Sequence, residues 1–348
     1  MEKSTPFKAV ALFSGGLDST LAVIAIRRQG VDVTALTCTT PFDPTPGESS
    51  FPRGDFRDIC QKWGFTLVTR HLQNEMLEIV KNPKHGYGKN MNPCVDCRIL
   101  MLREAKRIMD ETGAHFLVTG EVLGQRPMSQ RKDMLYHIDK EAGVSDLVLR
   151  PLSARLLRET RAERVGMVRR ELLYSFSGKS RKPQIALARE FGLDTYPTPA
   201  GGCLLTEPNY AFRLRDLLAH TPHPTVRDID LLRVGRHFRH SPRCKIIVGR
   251  DRSENALIEM LAERSDYLLR VEGSGSPITL VVGDATHEAL QVAAALCARY
   301  SDERSSRSVE VKATIGGRTA TINSAAADDD TVRAMRIGRV TGRKSITV

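Results

Sequence analysis

Aromatic side chains are scarce in this sequence: Phe, Trp and Tyr make up 5% of its 348 residues, and Trp63 is the one tryptophan. That excludes an extended wall of stacking platforms for a single nucleic-acid strand. Long hydrophobic runs are missing too. No apolar stretch approaches the ~20 residues that a membrane-spanning helix needs, and Met1 to Lys8 is short and polar, without a signal-peptide core. The expectation is a cytoplasmic protein with no membrane partner. Seven cysteines, an odd number in a long chain without an export signal, argue for reduced thiols, metal ligands or catalysis and against a disulfide framework. No internal repeat is visible, and low complexity is confined to the Ser/Arg run Ser301 to Ser308. Acidic residues are in deficit: 41 Asp and Glu against 52 Lys and Arg leave a formal net charge of +11. A polyanion, most commonly nucleic acid, is therefore the expected partner.

What is present is organised around Phe13 Ser14 Gly15 Gly16 Leu17 Asp18 Ser19 Thr20. An apolar run, Ala9 to Phe13, precedes it, and Leu21, Ile24 and Arg28 follow at helical spacing, so it sits at a strand-to-helix turn. Two glycines let the backbone close tightly and approach a ligand, and the first N–H groups of the new helix point at whatever binds there. Ser14, Ser19 and Thr20 add hydroxyl donors, and Asp18 is a candidate magnesium ligand beside phosphate. The segment resembles the SGGxDS signature of the PP-loop ATP pyrophosphatases. It is not a Walker A loop, because no Gly-Lys-Ser/Thr follows at the required distance. The plainer reading is an ordinary Gly-rich turn capped by Ser14.

Further along, the pattern alternates. Strand, helix and strand are expected over 9–13, 17–28 and 31–37, followed by a Pro- and Gly-rich loop from Pro41 to Gly54. A helix over 55–63, a strand over 65–68, a helix over 97–111 and a strand over 115–118 come next, the last leading into Thr119 Gly120 Glu121. Such alternation predicts an α/β fold with a doubly wound parallel sheet, whose ligands sit beyond the carboxyl ends of the strands. Both Ser14 to Ser19 and Thr119 to Glu121 fall at such ends. A helix over 182–191 precedes the loop Pro197 to Gly202, and Thr221 Pro222 His223 Pro224 Thr225 breaks the helix over 210–219. Two domains are expected, 1–215 and a smaller α+β domain, 226–348. In the latter, strands are expected over 245–249, 267–271 and 278–282. Its helices are expected over 253–262, with Ser253 as cap, and over 286–300, before a hairpin folded at Gly316 Gly317.

Asn92 Pro93 Cys94 Val95 Asp96 Cys97 places two thiols at a predicted helix start, where amide dipoles favour thiolate. Cys203 follows a Pro- and Gly-rich loop. Three thiolates with no fourth ligand in an evident motif suit an iron–sulfur cluster with an open position better than closed structural zinc. Cys38, Cys60 and Cys297 fit apolar or helical patterns and read as core, Cys244 stays open, and His71, His85, His115 and His137 read as structural. Asn92-Pro93 with Cys97, then Thr119-Gly120, then Cys203, resembles the layout of tRNA-thiolating PP-loop enzymes of the MnmA, TtuA and ThiI types over roughly residues 8–206. Cys94 resembles the extra cysteine of the cluster-dependent relatives, the TtuA and TtcA types. In MnmA-type enzymes a His follows Thr-Gly. Here it is Glu121, so no role of that His carries over. From about Asp228 to Ile337 the chain resembles the RNA-binding module of NFACT proteins, with Arg236, Arg239, Lys245 and Arg250 as candidate phosphate contacts among the basic residues of its first third. A merely solvated basic face is the alternative.

The resemblance implies an ATP-dependent RNA sulfurtransferase acting on tRNA or another structured RNA. A base carbonyl oxygen would attack the α-phosphate of ATP, pyrophosphate would leave, and sulfur would displace AMP. Ser14, Gly15, Gly16, Asp18, Ser19, Thr20, Thr119 and Gly120 would bind ATP and, through Asp18, Mg2+; Asp18, Cys97 and Cys203 would be catalytic. Cys94, Cys97 and Cys203 would hold a [4Fe–4S] cluster, or Cys203 would carry a persulfide that Cys97 resolves, with sulfide or a desulfurase as the sulfur donor. The alternatives are a PP-loop ligase or amidotransferase that needs no thiols, and an RNA-binding protein with a vestigial nucleotide site.

Overall fold

The computed structural model describes residues 7–43, 56–193, 196 and 203–338. Its contacts divide the chain into two units, Met1–Leu204 and Leu205–Val348. In the first, strands β1 (Lys8–Leu12), β2 (Asp32–Thr39), β3 (Thr66–His71), β4 (Phe116–Thr119) and β5 (Val148–Leu149) form one sheet in the order β3-β2-β1-β4-β5. All four pairings are parallel. This is the expected doubly wound α/β arrangement, and its strand order reverses at β1, between β2 and β4. The chain winds through helices α1 (Leu17–Arg27), α2 (Arg57–Trp63), α3 (Gln73–Lys81), α4 (Cys94–Thr112), α5 (Lys132–Glu141), α6 (Arg161–Arg164) and α7 (Lys182–Glu190).

Period-two geometry explains why β1 is almost wholly apolar. Ala9 and Ala11 pack into the core that holds Leu21, Ile24 and Leu187 of α1 and α7, whereas Val10 and Leu12 pack into the one that holds Ile99, Leu102 and Ile138 of α4 and α5. Helix α1 is itself buried on nearly every side, and Leu21, Ile24 and Ile26 each contribute roughly 2 kcal/mol relative to exposure. Helices α2 and α4 stop where glycine adopts a left-handed conformation, at Gly64 (φ 64°) and Gly113 (φ 65°), as the sequence requires. Helix α4 begins three residues earlier than expected, which puts both Cys94 and Cys97 in its first turn. The loop from residue 44 to 55 and that from 197 to 202 lie outside the described residues.

The second unit begins with helices α8 (Pro208–His220) and α9 (Val226–Leu231). Strands β6 (Arg236–Ser241), β7 (Cys244–Val248), β8 (Tyr267–Val271), β9 (Thr279–Gly283), β10 (Val309–Ile315) and β11 (Arg318–Ser324) form an antiparallel sheet in the order β11-β10-β8-β9-β7-β6. Helix α11 (His287–Arg299) covers one face through Ala293, Leu296 and Cys297, which pack with Phe238, Ile246 and Val248. On the other face Ile247 and Leu280 pack with Leu231 of α9 and Ile258 of α10 (Arg252–Leu261). Helix α12 (Asp329–Met335) closes the described chain. The β10–β11 hairpin turns at Gly316 and Gly317 (φ 52° and 84°), the positive-φ pair that a two-residue turn demands. Helix α10 is capped by Asp251, whose carboxylate accepts from the Glu254 N–H at 3.0 Å, and not by Ser253.

Candidate functional site

Strand β1 delivers the chain into the turn at the switch point. Gly15 has φ 74°, Gly16 is the N-cap of α1 without a side-chain cap, and the Ser14 hydroxyl lies 3.2 Å from that of Ser19. Ser19 Oγ in turn donates to the Gly16 carbonyl at 2.9 Å. Ser14 therefore braces the turn and does not cap the helix. Ser19 and Thr20 are buried, Ser14 is exposed, and the Thr20 N–H closes the first helical bond to the Gly16 carbonyl (3.0 Å). Asp18 Oδ2 accepts from Gln125 Nε2 at 3.1 Å, while Oδ1 is buried without a hydrogen-bond partner among the described residues. An orphaned, buried carboxylate oxygen is a costly arrangement, and it fits a divalent cation.

The end of β4 meets this turn from the neighbouring strand. A Cβ at Gly120 would stand 2.5 Å from the Ser19 backbone nitrogen and 2.6 Å from Ser19 Cα, so only glycine allows β4 to run against the start of α1. Thr119 is buried and its hydroxyl donates to Glu121 Oε2 at 3.1 Å. Glu121 sits in a buried ion network. Arg150 Nε donates to Glu121 Oε2 at 3.0 Å, and the rest of that guanidinium forks onto Asp139 with two bonds of 2.8 Å. Burial favours the neutral acid at Glu121, but Arg98 and Arg150 together hold its carboxyl below the usual range. Burial dominates at Asp139 and raises its pKa. The residue that replaces the expected His is thus a charge-balanced anchor.

Cys94 and Cys97 lie half-buried on the first turn of α4. The helix start was expected to lower their pKa values, and the structure gives the opposite. Burial pushes the Cys97 thiol up to about 11 against the opposing charge of Arg98, and it raises Cys94 against Arg126 and Arg98. Cys38, at the end of β2, is held at about 12 by the same desolvation. Cys203 donates to the Phe42 carbonyl at 3.6 Å, and the charge of the adjacent Asp43 contributes to the high pKa of Cys97. Both thiols therefore neighbour the segment that follows β2. Among the described residues no three Cys, His, Asp or Glu side chains are arranged to hold a metal ion. The donors suit an iron–sulfur cluster chemically, but Cys94, Cys97 and Cys203 do not assemble into its ligand set.

Two histidines that the sequence pattern left as structural prove to be linked. His85 Nδ1 lies 2.7 Å from Asp96 Oδ1, the His85 N–H donates to Oδ2 at 3.0 Å, and His137 Nε2 is 3.0 Å from His85 Nε2. Asp96 stands between the two cysteines, so this chain ties the first turn of α4 to α5. Nothing in the spacing of His85 and His137 could have revealed it.

The basic residues singled out in the second unit are mostly engaged. Arg239 Nε donates to Asp216 Oδ1 at 3.1 Å and Arg250 Nε to Glu254 Oε1 at 2.8 Å. Lys245 is buried, and desolvation lowers its pKa to about 7. Arg236 lies 4.4 Å from the Tyr300 ring centroid and donates to the Gly249 carbonyl at 3.1 Å. Lys245 lies on the same face of β7 as Ile247, the face that α9 and α10 cover. Charge composition alone could not distinguish inward from outward.

The first unit is a PP-loop-like α/β fold with its phosphate-type turn at the switch point, joined to a separate antiparallel unit. Residues 4–156 match the family model for thiamine biosynthesis protein (ThiI), and residues 235–335 match that for the NFACT protein RNA binding domain. The chain is therefore similar to ThiI over most of its first unit and to the NFACT RNA binding domain over most of its second. It is 32% identical over 158 residues to a probable tRNA sulfurtransferase of Thermococcus kodakarensis, covering 42% of this chain and 37% of that protein. To the tRNA-specific 2-thiouridylase MnmA of Xanthobacter autotrophicus it is 26% identical over 247 residues, 66% of this chain and 59% of that protein. A 4-thiouridine synthetase solved in complex with RNA and ATP is similar over 56% of this chain and 55% of that one, with 22% identity and a TM-score of 0.33. The chain spans well under two thirds of the length of these relatives.

Proposed function

We propose that the protein is an ATP-dependent RNA sulfurtransferase, with tRNA as the RNA and the cytoplasm as its place of work. The observation that carries the reading is the switch point. The glycine turn, the uncapped start of α1 and the unpartnered Asp18 Oδ1 lie against Gly120, one strand away. The proximity of Cys97 and Cys203 to the segment after β2 supports thiol chemistry on the same unit. The names of the relatives, tRNA sulfurtransferase and tRNA 2-thiouridylase, support the substrate.

In this reading the opening amides of α1 and the hydroxyls of Ser14 and Ser19 hold the phosphates of ATP. Asp18 would hold Mg2+, which would supply positive charge to offset that of the leaving pyrophosphate. The base carbonyl oxygen attacks the α-phosphorus, the bond to pyrophosphate breaks, and the base carbon becomes an electrophile with AMP as leaving group. A Cys203 persulfide, loaded when a desulfurase persulfide passes its outer sulfur to the Cys203 thiolate and is left as a thiol, attacks that carbon through its terminal sulfur. AMP departs with the original oxygen. The Cys97 thiolate then attacks the Cys203 sulfur, frees the thiolated base and leaves a disulfide for a thiol reductant to reopen. This relay needs two thiols. A three-thiolate cluster needs Cys94 as well, and that residue separates the two readings.

Anaerobic purification of the wild type and the Cys94→Ala, Cys97→Ala and Cys203→Ala variants tests the reading, with iron, AMP and thiolated RNA measured. The relay predicts no stoichiometric iron, full thiolation in Cys94→Ala and none in the other two. Iron lost together with activity in all three variants would establish the cluster instead. Thiolation retained by Cys203→Ala would refute the relay, and AMP formed by the wild type without any thiolated RNA would remove sulfur chemistry and favour a ligase.

A further inference from the structure

Four partly buried arginines of the second unit, and the more exposed Arg250, have a carboxylate. Arg227 pairs with Asp266, Arg233 with Asp230, Arg239 with Asp216, Arg250 with Glu254 and Arg299 with Asp329. Three half-buried arginines break the pattern: Arg213, Arg236 and Arg336 have no ion pair among the described residues. Burying a guanidinium without a counter-charge is expensive, so a concentration of such groups calls for an external anion.

The fold brings these three together with Arg250. Arg236 opens β6, opposite Val248, and its Nη1 donates to the Gly249 carbonyl (3.1 Å), next to Arg250. Arg336 lies on the far side of the same strand, where its backbone bridges Phe238 and the following Ile337 N–H donates to the His237 carbonyl at 2.9 Å. Arg213 of α8 donates through Nη1 to the Leu232 carbonyl at 2.8 Å, while its Nε is buried with no partner. Arg213 and Arg236 both feel the charge of Arg250 and Arg336. Burial first, then Arg250, lowers the Arg213 pKa to about 10, and burial, with Arg336 and Arg250, lowers that of Arg236. The carboxylates that face this group are Glu254, already forked onto Arg250, Asp251, which caps α10, and Glu207, whose oxygens cap α8 by accepting from the Asn209 and Tyr210 N–H groups. Four guanidinium groups against three carboxylates that are already engaged leave an excess of positive charge. Tyr300 fixes the Arg236 plane from one side.

We propose that Arg213, Arg236, Arg250 and Arg336 form a binding site for an RNA backbone phosphate, a specific contact within the RNA-binding role proposed above and resting on it. The guanidinium forks fit phosphate oxygens in geometry and charge and read no base, so the contact positions RNA without selecting sequence.

The test uses the full chain and an unmodified tRNA transcript, with affinity measured from 50 to 300 mM salt. Arg336→Gln and Arg236→Gln should each weaken binding roughly 5- to 10-fold near 0.1 M salt and reduce the salt slope by about 1. Arg264→Gln, which removes the same charge from an exposed residue outside the group, should change affinity less than about twofold. Circular dichroism melting checks that each variant folds. Arg336→Gln serves if Arg236→Gln does not, because the Arg336 contact with β6 is made by the backbone. Unchanged affinity in folded Arg336→Gln, with the wild type binding RNA, would overturn the site and leave RNA binding intact. A wild type that does not bind the transcript would overturn both. If inorganic phosphate stabilises the wild type and not the variants while RNA affinity is equal, the site takes a free phosphate and the RNA contact is refuted.

Discussion

Gly120→Ala is the most direct perturbation of the nucleotide site, because it replaces a hydrogen with a methyl group at the place where β4 meets α1. The new Cβ would lie 2.5 Å from the Ser19 nitrogen, about 0.9 Å inside an ordinary 3.4 Å contact. Its neighbours are backbone atoms of Asp18 and Ser19, which cannot rotate away, so the strand end and the helix start must separate. Overpacking of this kind costs about 1–3 kcal/mol. For a unit of this size, that lowers Tm by roughly 2–4 °C per kcal/mol. The displaced atoms belong to the turn that would hold the phosphates, so ATP affinity should fall by about tenfold or more if 1.4 kcal/mol of the strain is relieved only in the unbound state. Calorimetric titration with ATP and thermal melting measure both effects. Gly113→Ala is the control. Gly113 also has positive φ (65°), but nothing lies within 4 Å of a Cβ built there, so the variant should lose stability and keep ATP affinity. Wild-type ATP affinity in Gly120→Ala would refute the placement of the nucleotide at this junction.

Asp18→Ala should abolish release of AMP and pyrophosphate, and ADP as the wild-type product would remove the PP-loop chemistry. With its pKa near 11, Cys97 should react with iodoacetamide about tenfold faster per pH unit from 7 to 10, without the plateau near 9 of a free thiol, read at its own peptide by mass spectrometry. Arg98→Ala should slow it further, since that charge opposes the shift. Arg150→Ala leaves Asp139 buried without its partner and Glu121 with Arg98 alone, and should cost about 3–5 kcal/mol. Because the stranded carboxyls prefer the neutral form, that variant should recover relative to wild type as pH falls toward 5, and a loss independent of pH would contradict the network. Lys245 has its pKa lowered to about 7 in the folded protein, against 10.5 for its ordinary value. The unfolded state binds the extra proton between those values, so stability should rise with pH from about 7 to 10.5, and Lys245→Met should flatten that rise.

The features legible in the sequence are the local ones. Gly15 after an apolar run, Gly64 and Gly113 as helix stops, and Gly316 with Gly317 in a hairpin each carry their backbone requirement in residue type, and the structure places them as expected. The alternation of strand and helix was enough for the parallel sheet. What stayed hidden depends on partners distant in sequence. The raised pKa of Cys97 comes from burial that its first-turn position does not betray, and the bond between His85 and Asp96 joins a loop to a helix. Arg239 and Lys245 looked alike as cations, yet one is tied to Asp216 and the other turned into the unit. Helix α5 was missed because Lys132 to Glu141 buries only Leu135, Ile138 and Asp139, too little apolar signal to stand out.

The single backbone bridge between Phe238 and Arg336 has a bearing on how the second unit behaves in solution. Strand β6 is an edge of its sheet, and the return of the chain at Arg336 and Ile337 occupies part of its open hydrogen-bonding side. The opposite edge, β11, is protected differently, by a row of exposed polar residues such as Arg318, Thr319 and Thr321. A chain cut short before residue 336 would uncover the Phe238 edge, and the expected fault is strand-to-strand self-association rather than simple unfolding.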